Sequence, residues 1–308
     1  MILRERPTGL KLFLLLRGSI MPRISRVLLF NIALATVVTF THGMLFQFKV
    51  TLTSIPFTLI GLPLAIFLGF RNTAAYDRYW EARKLWGELV LCSRNLARQC
   101  LHLIDAPAAG QDDLRPRMVR RAVAFCHALR LQLRASSDTG PVQAMLEPAE
   151  WAAVADSRSR HSAIMMHMGA DLAACRRQGL VDGPLAAQID DTLCAMTGAA
   201  ASCERISGTP VPFSYTLLLH RTAYIYCFLL PFGLVDTTGA LTPLVVGVVA
   251  YTFFGLDALG DEIEEPFGTE PNDLPLDALC RAIEIQTLEA LGETDLPPPL
   301  QPVDYCLL

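Results

Sequence analysis

The stretch VTLTSIPFTLIGLPLAIFLGF, residues 50–70, contains no Asp, Glu, Lys or Arg. A helix needs roughly 20 apolar residues to cross the hydrocarbon core of a bilayer, and this run is long enough. Val27–Phe48 and Thr237–Leu256 are two further runs without such a residue. A fourth, Pro212–Val235, is interrupted only at His220-Arg221. Core helices of water-soluble proteins usually keep a polar face, and these runs show none. Charged residues make up 18% of the chain, against about 25% in an ordinary soluble domain. The runs and the composition together predict an all-α integral membrane protein with four transmembrane helices and a helical cytosolic domain.

Orientation follows from the basic residues near the span ends. Arg4, Arg6, Lys11, Arg17, Arg23 and Arg26 precede the first span, and Arg71, Arg78, Arg83 and Lys84 follow the second. The connection between spans one and two holds only Lys49, and that between spans three and four, around Asp236, holds no Lys or Arg. Both termini and the long middle segment are therefore expected in the cytoplasm. The expected segments are 1–26 (N-terminal and interfacial, with Leu10–Leu16 as a surface helix), 27–70 (spans one and two) and 71–211 (cytosolic helices). They continue with 212–256 (spans three and four), 257–295 (an acidic segment and helix) and 296–308 (a C-terminal tail, of which the Pro-rich Leu296–Val303 is expected to be extended or disordered).

Within the middle segment, Asn72–His102 continues the second span as one long helix. Helices are expected over Arg115–Arg134, from Pro148 through Trp151, and over Arg160–Arg177 with Gly179 ending it. Asp182 is placed to cap a last helix running to about Ile206. Gly208, Pro210 and Pro212 break the chain before span three. No CxxC pair occurs among the nine cysteines, which read as reduced thiols. No HExxH, GxSxG or P-loop motif occurs, so the residues give an enzyme no support. The net charge of -4 argues against a nucleic-acid partner.

Leu62, Ile66 and Phe70 stand at i, i+4 and i+8 and form one stripe on the second span. On spacing alone the stripe reads either as packing or, in an oligomer around an axis, as stacked apolar rings that stop ions by dewetting. Pro63 lies beside it and removes a backbone hydrogen bond. Below it the helix becomes polar, and Asp77 and Glu81 are candidates for lining a wet vestibule. Arg221 is expected to face the helix bundle, since a membrane-embedded Arg is costly. Asp257, Asp261, Glu262, Glu264 and Glu265 form an acidic cluster after span four. They read either as oxygen ligands for a hard cation or as partners of the basic residues after span two.

Two segments resemble the bestrophin family, in its bacterial form. One is Phe70-Arg71-Asn72-Thr73-Ala74-Ala75-Tyr76-Asp77-Arg78-Tyr79-Trp80-Glu81-Ala82-Arg83-Lys84-Leu85-Trp86-Gly87, which resembles the end of the family's second helix. The other, Asp261-Glu262-Ile263-Glu264-Glu265-Pro266-Phe267-Gly268, resembles its post-membrane stretch. The resemblance implies a homopentameric ion channel around one central pore, surrounded by lipid. It implies a neck of Leu62, Ile66 and Phe70 and a cytosolic aperture at Leu180. Animal members bind Ca²⁺ near the positions of Glu262 and Glu265. Here Glu stands where that clasp uses Asp, and Ile263 and Pro266 interrupt it, so no cofactor is expected. Asp77 and Glu81 favour small cations such as Na⁺ or K⁺. A Cl⁻ channel of the same family and a non-conducting membrane scaffold are the alternatives.

Overall fold

The computed structural model describes residues 1–4, 9, 18–42, 44–45, 48–49 and 53–308. The expected surface helix Leu10–Leu16 lies outside the described residues. Two compact units share the chain. One comprises Arg4–Tyr79 and Pro210–Glu265; the other comprises Met1–Leu3, Trp80–Thr209 and Pro266–Leu308.

The first unit is the apolar one. It contains α1 (Met21–Phe40), the first half of α2 (Ser54–Leu103), α8 (Phe213–Thr238) and α9 (Thr242–Glu264). Two short strands, β1 (Met44–Leu45) and β2 (Phe48–Lys49), pair antiparallel between α1 and α2. Proline helps to start the helices, standing at the first or second position of both α1 and α9, where its missing N–H costs nothing. The long apolar stretch Phe213–Glu264 is divided by a single 3-10 turn, Gly239–Leu241. Gly239 takes φ +53° there, a left-handed value that suits a residue without a Cβ. The turn folds α8 back on α9, so Tyr224 meets Phe254 (centroids 4.7 Å apart) and Tyr226 meets Phe253 (5.1 Å). Asp236, expected in the connection, is the third-last residue of α8.

Leu28 of α1, Leu64 and Leu68 of α2, Leu219 and Ala223 of α8, and Ala250 and Phe254 of α9 pack into one cluster. Buried Asn31 donates from Nδ2 to the Cys227 carbonyl (3.0 Å), which satisfies a polar group that would otherwise be costly inside an apolar unit. Fewer than a third of the residues in each apolar stretch are buried. The rest of each run is largely apolar and half-buried or exposed, which suits a membrane-spanning helix.

The second unit carries the second half of α2 together with α3 (Leu114–Leu133), α4 (Gly140–Gln143), α5 (Pro148–Val154), α6 (Arg160–Arg177), α7 (Gly183–Gly208) and α10 (Leu276–Ala290). Helix α3 is its centre, with Met118, Val119, Val123, Phe125, Cys126 and Leu129 almost fully buried against α6 and α10. The cap expected at Asp182 forms, and two further caps accompany it. Asp182 accepts from the Leu185 N–H (2.9 Å) at the start of α7, and Glu147 and Glu150 form a capping box on α5. Asp113 caps α3 through the Arg115 N–H (3.1 Å).

The C-terminal tail has two parts. Residues 296–302 lack regular structure, but the last residues are tied to the N-terminus and to α10. Leu3 donates to the Tyr305 carbonyl (2.8 Å), Leu307 to that of Met1 (2.9 Å) and Ala278 to that of Leu308 (2.9 Å). Proline removes helix from such a segment but leaves the backbone after it free to pair.

One packing contact in the apolar unit gives a direct test. A Cβ at buried Gly233 would overlap the ring of Phe57. Gly233→Ala should therefore destabilise the protein by about 1–3 kcal/mol through overpacking. Thermal unfolding in detergent would show this as a lowered midpoint, and an unchanged midpoint would refute the contact.

Candidate functional site

The site begins with Arg71, the first charged residue after the uncharged half of α2. Its side chain is 0% exposed. A guanidinium there needs a carboxylate, since an unpaired buried charge is very costly. Asp257, the first charged residue after the uncharged run of α9, accepts from Arg71 Nη1 at 3.0 Å. Asp261 pairs with Nη2, and Glu264 Oε2 lies 3.5 Å from the same nitrogen. His220 of α8 joins through Nδ1, 2.6 Å from Asp257 Oδ2.

Neighbouring polar groups extend the network. Asn72 donates to the Leu256 carbonyl (3.1 Å), Arg78 Nε to the Glu264 carbonyl (3.2 Å), and the Val211 N–H to Glu264 Oε1 (3.1 Å). Three helices, α2, α8 and α9, are thereby joined at one end of the unit. Asp261 and Glu264 face a guanidinium, and among the described residues no three His, Cys, Asp or Glu side chains converge as a metal-ligand set. Of the two readings of the acidic cluster, this arrangement gives Asp257, Asp261 and Glu264 to the basic residues after span two. Glu262 is half-buried and Glu265 exposed.

This anchor sets which face of α2 looks outward. Phe57, Leu64, Leu68, Arg71 and Ala75 are all buried. With about 100° between successive residues, Ile66 lies roughly 160° from the middle of that face. Leu62 is 66% exposed, Ile66 46% and Phe70 63%. The expected neck residues thus form a continuous, outward apolar stripe. Asp77 follows Phe70 by two helical turns on the same side and is also exposed. Glu81 is held by Arg205 of α7, with Oε1 2.7 Å from Nη2.

Leu180 is half-buried. Its N–H donates to the Cys175 carbonyl (2.9 Å), and its carbonyl accepts from the Asp105 N–H (2.8 Å). The residue is fixed between the ends of α2 and α6. The expectation for Arg221 is corrected. Arg221 is exposed, while its neighbour His220 faces α9 and meets Asp257. A helix turns successive residues by about 100°, so the pair cannot share one face, and the residue that finds a carboxylate is His220. That contact is the one sequence reasoning missed. Its signal was the position of Asp257 at the end of an uncharged run, level with Arg71.

All nine cysteines are free thiols. Burial pushes the thiols of Cys126 and Cys203 up to about 12 and that of Cys280 well above its ordinary value. They pack as small apolar groups and are not nucleophiles at neutral pH.

Removing the cation from this anchor should be costly. Arg71→Ala leaves buried Asp257 with His220 alone as its partner, at a cost of about 3–5 kcal/mol. Thermal unfolding of the detergent-solubilised protein would register the loss; a midpoint equal to that of the unaltered protein would refute the anchor.

Comparison with known proteins adds to this geometry. The family described as Bacterial/Fungal Bestrophin protein matches residues 1–289. A protein of Mesorhizobium japonicum, named as a voltage-dependent anion channel-forming protein, is 48% identical over 306 residues, covering 99% of this chain and 96% of its own. An Escherichia coli K12 protein with the same description is 39% identical over 302 residues, covering 98% of both chains. The crystal structure of a bacterial bestrophin homologue from Klebsiella pneumoniae aligns with a TM-score of 0.82. It is 36% identical and covers 88% of this chain and all of the other, 100%.

Proposed function

Since the chain belongs to the bacterial and fungal bestrophin family, we propose that it is the subunit of an ion channel whose gate is the stripe Leu62, Ile66 and Phe70. Four helices would cross the bacterial inner membrane: α1, the first half of α2, α8 and α9. Both termini and the helical unit would lie in the cytoplasm, consistent with the basic residues at the span ends. Five copies would surround one axis and place the stripe of each copy inward. Leu180 would contribute a second aperture on the cytosolic side.

The observation that carries this reading is the exposure of the stripe. Three large apolar side chains stay uncovered on one face of α2 while the opposite face is anchored through Arg71. Around an axis they become three stacked apolar rings. Such rings offer an ion nothing to replace its hydration shell, so a narrow neck dewets and closes, and a wider one conducts. The acidic residues Asp257, Asp261 and Glu264 serve the anchor in this reading, and Ca²⁺ has no part in it.

Two observations bear on ion sign. Asp77, exposed on the same side of α2 below the neck, favours small monovalent cations such as Na⁺ or K⁺. Glu81 adds little, because Arg205 neutralises it. Anion conduction is the second reading, supported by the names of the Mesorhizobium and Escherichia relatives. In planar bilayers with a KCl gradient, the purified protein should pass current, and the triple variant Leu62→Ala, Ile66→Ala, Phe70→Ala should pass more. The sign of the reversal potential decides between K⁺ and Cl⁻. Equal currents in the two proteins would sink the gate assignment, and silence from both, with insertion verified, would favour a scaffold.

A further inference from the structure

In the helical unit that includes α3, many arginines meet a carboxylate. Arg117 and Arg121 share Asp171, Arg130 and Arg134 share Asp277, Arg205 meets Glu81, and Arg281 meets Glu284. Of the arginines with no carboxylate partner among the described residues, two line one cavity. Arg94, Arg98 and His102 stand at i, i+4 and i+8 on the second half of α2. All three are exposed, and among the described residues none is paired with a carboxylate. Arg94 and Arg98 are like charges at i and i+4, which repel and weaken a helix, so folding alone gives no reason to keep them together.

The stripe lines a cavity of about 330 Å³, closed on its other side by Gln286, Thr287 and Ala290 of α10. The cavity has no acidic residue in its wall. Arg94 is held over it, donating from Nε to Gln286 Oε1 (2.6 Å), an arrangement that steers the guanidinium without cancelling its charge. The volume falls at the lower end of the range for small-molecule sites, roughly 300–1,000 Å³. We propose that this cavity binds a small molecule carrying a diphosphate group.

The geometry favours two linked phosphates over a single small anion. Arg94 and His102 lie about 12 Å apart along the helix axis, with Arg98 midway. One phosphate reaches a single guanidinium or two adjacent cations; a diphosphate extends further along the stripe. Each arginine offers a planar fork that matches phosphate oxygens. Thr287 is committed to its own helix, donating to the Ile283 carbonyl (2.7 Å), so recognition falls to the cations. Ala97 and Leu101 supply the apolar part of the wall.

The test is calorimetric titration of the full-length, detergent-solubilised protein at low ionic strength, with sodium pyrophosphate as the probe and ADP in a parallel arm. Saturable binding of one pyrophosphate per chain is expected. Arg98→Gln, at an exposed position that leaves the fold intact, should weaken it about tenfold or more, and Arg94→Gln likewise. Tighter binding of ADP would mean that an organic group rests on Ala97 and Leu101, and tighter binding of pyrophosphate would mean that the diphosphate alone is read. The proposal is overturned if neither probe saturates. It is also overturned if Arg177→Gln, at an exposed arginine ending α6, weakens binding as much as Arg98→Gln does.

Discussion

A guanidinium with no exposed surface can persist only where carboxylates meet it, and that requirement governs the apolar unit. Arg71 brings α9 to α2 through Asp257, Asp261 and Glu264, and α8 enters through His220. Once α2 is rotated so that Arg71 faces inward, Leu64, Leu68 and Ala75 must face inward with it. The helical repeat then leaves Leu62, Ile66 and Phe70 on the far side. The stripe is outward because the cation is inward. Replacing a buried ion cluster by apolar groups is often neutral for stability, so the value of this cluster lies in fixing one rotation of a helix that is apolar all round.

That relation explains what could be read from residues and what could not. The uncharged runs announced the membrane helices because length and absence of charge are sufficient for them. Caps at Asp182 and Pro148, and the end of α6 before Gly179, were legible because capping chemistry is local. The face presented by Leu62, Ile66 and Phe70 was open, since every side of that run is apolar and periodicity carries no signal there. The partner of Arg71 lies 186 positions away in Asp257, a separation that no local pattern spans. Arg221 misled for a related reason. The cost of an embedded cation pointed to a buried residue near 220, and the neighbouring histidine is the one that has an acidic partner.

The two units handle charge differently. The apolar unit concentrates its ion pairs at one end and leaves its sides to lipid or to other copies. The second unit distributes pairs over α3, α5, α6 and α10, around a core in which Cys126 and Cys280 are held as inert thiols. Within that unit Arg94 and Arg98, with His102 beside them, face a cavity with no acid in its wall. The tail, held by hydrogen bonds to Met1, Leu3 and α10, belongs to the same unit and closes it with backbone pairing where proline prevents a helix.

Direct imaging of the protein assembled in lipid nanodiscs by electron cryo-microscopy tests the central claim, that the anchor at Arg71 turns the apolar stripe towards a shared axis. The account predicts Leu62, Ile66 and Phe70 from every copy facing that axis as three stacked rings, with Arg71 buried against Asp257 behind them. A map in which the stripe lies against lipid, or is buried in a contact away from the axis, would contradict it.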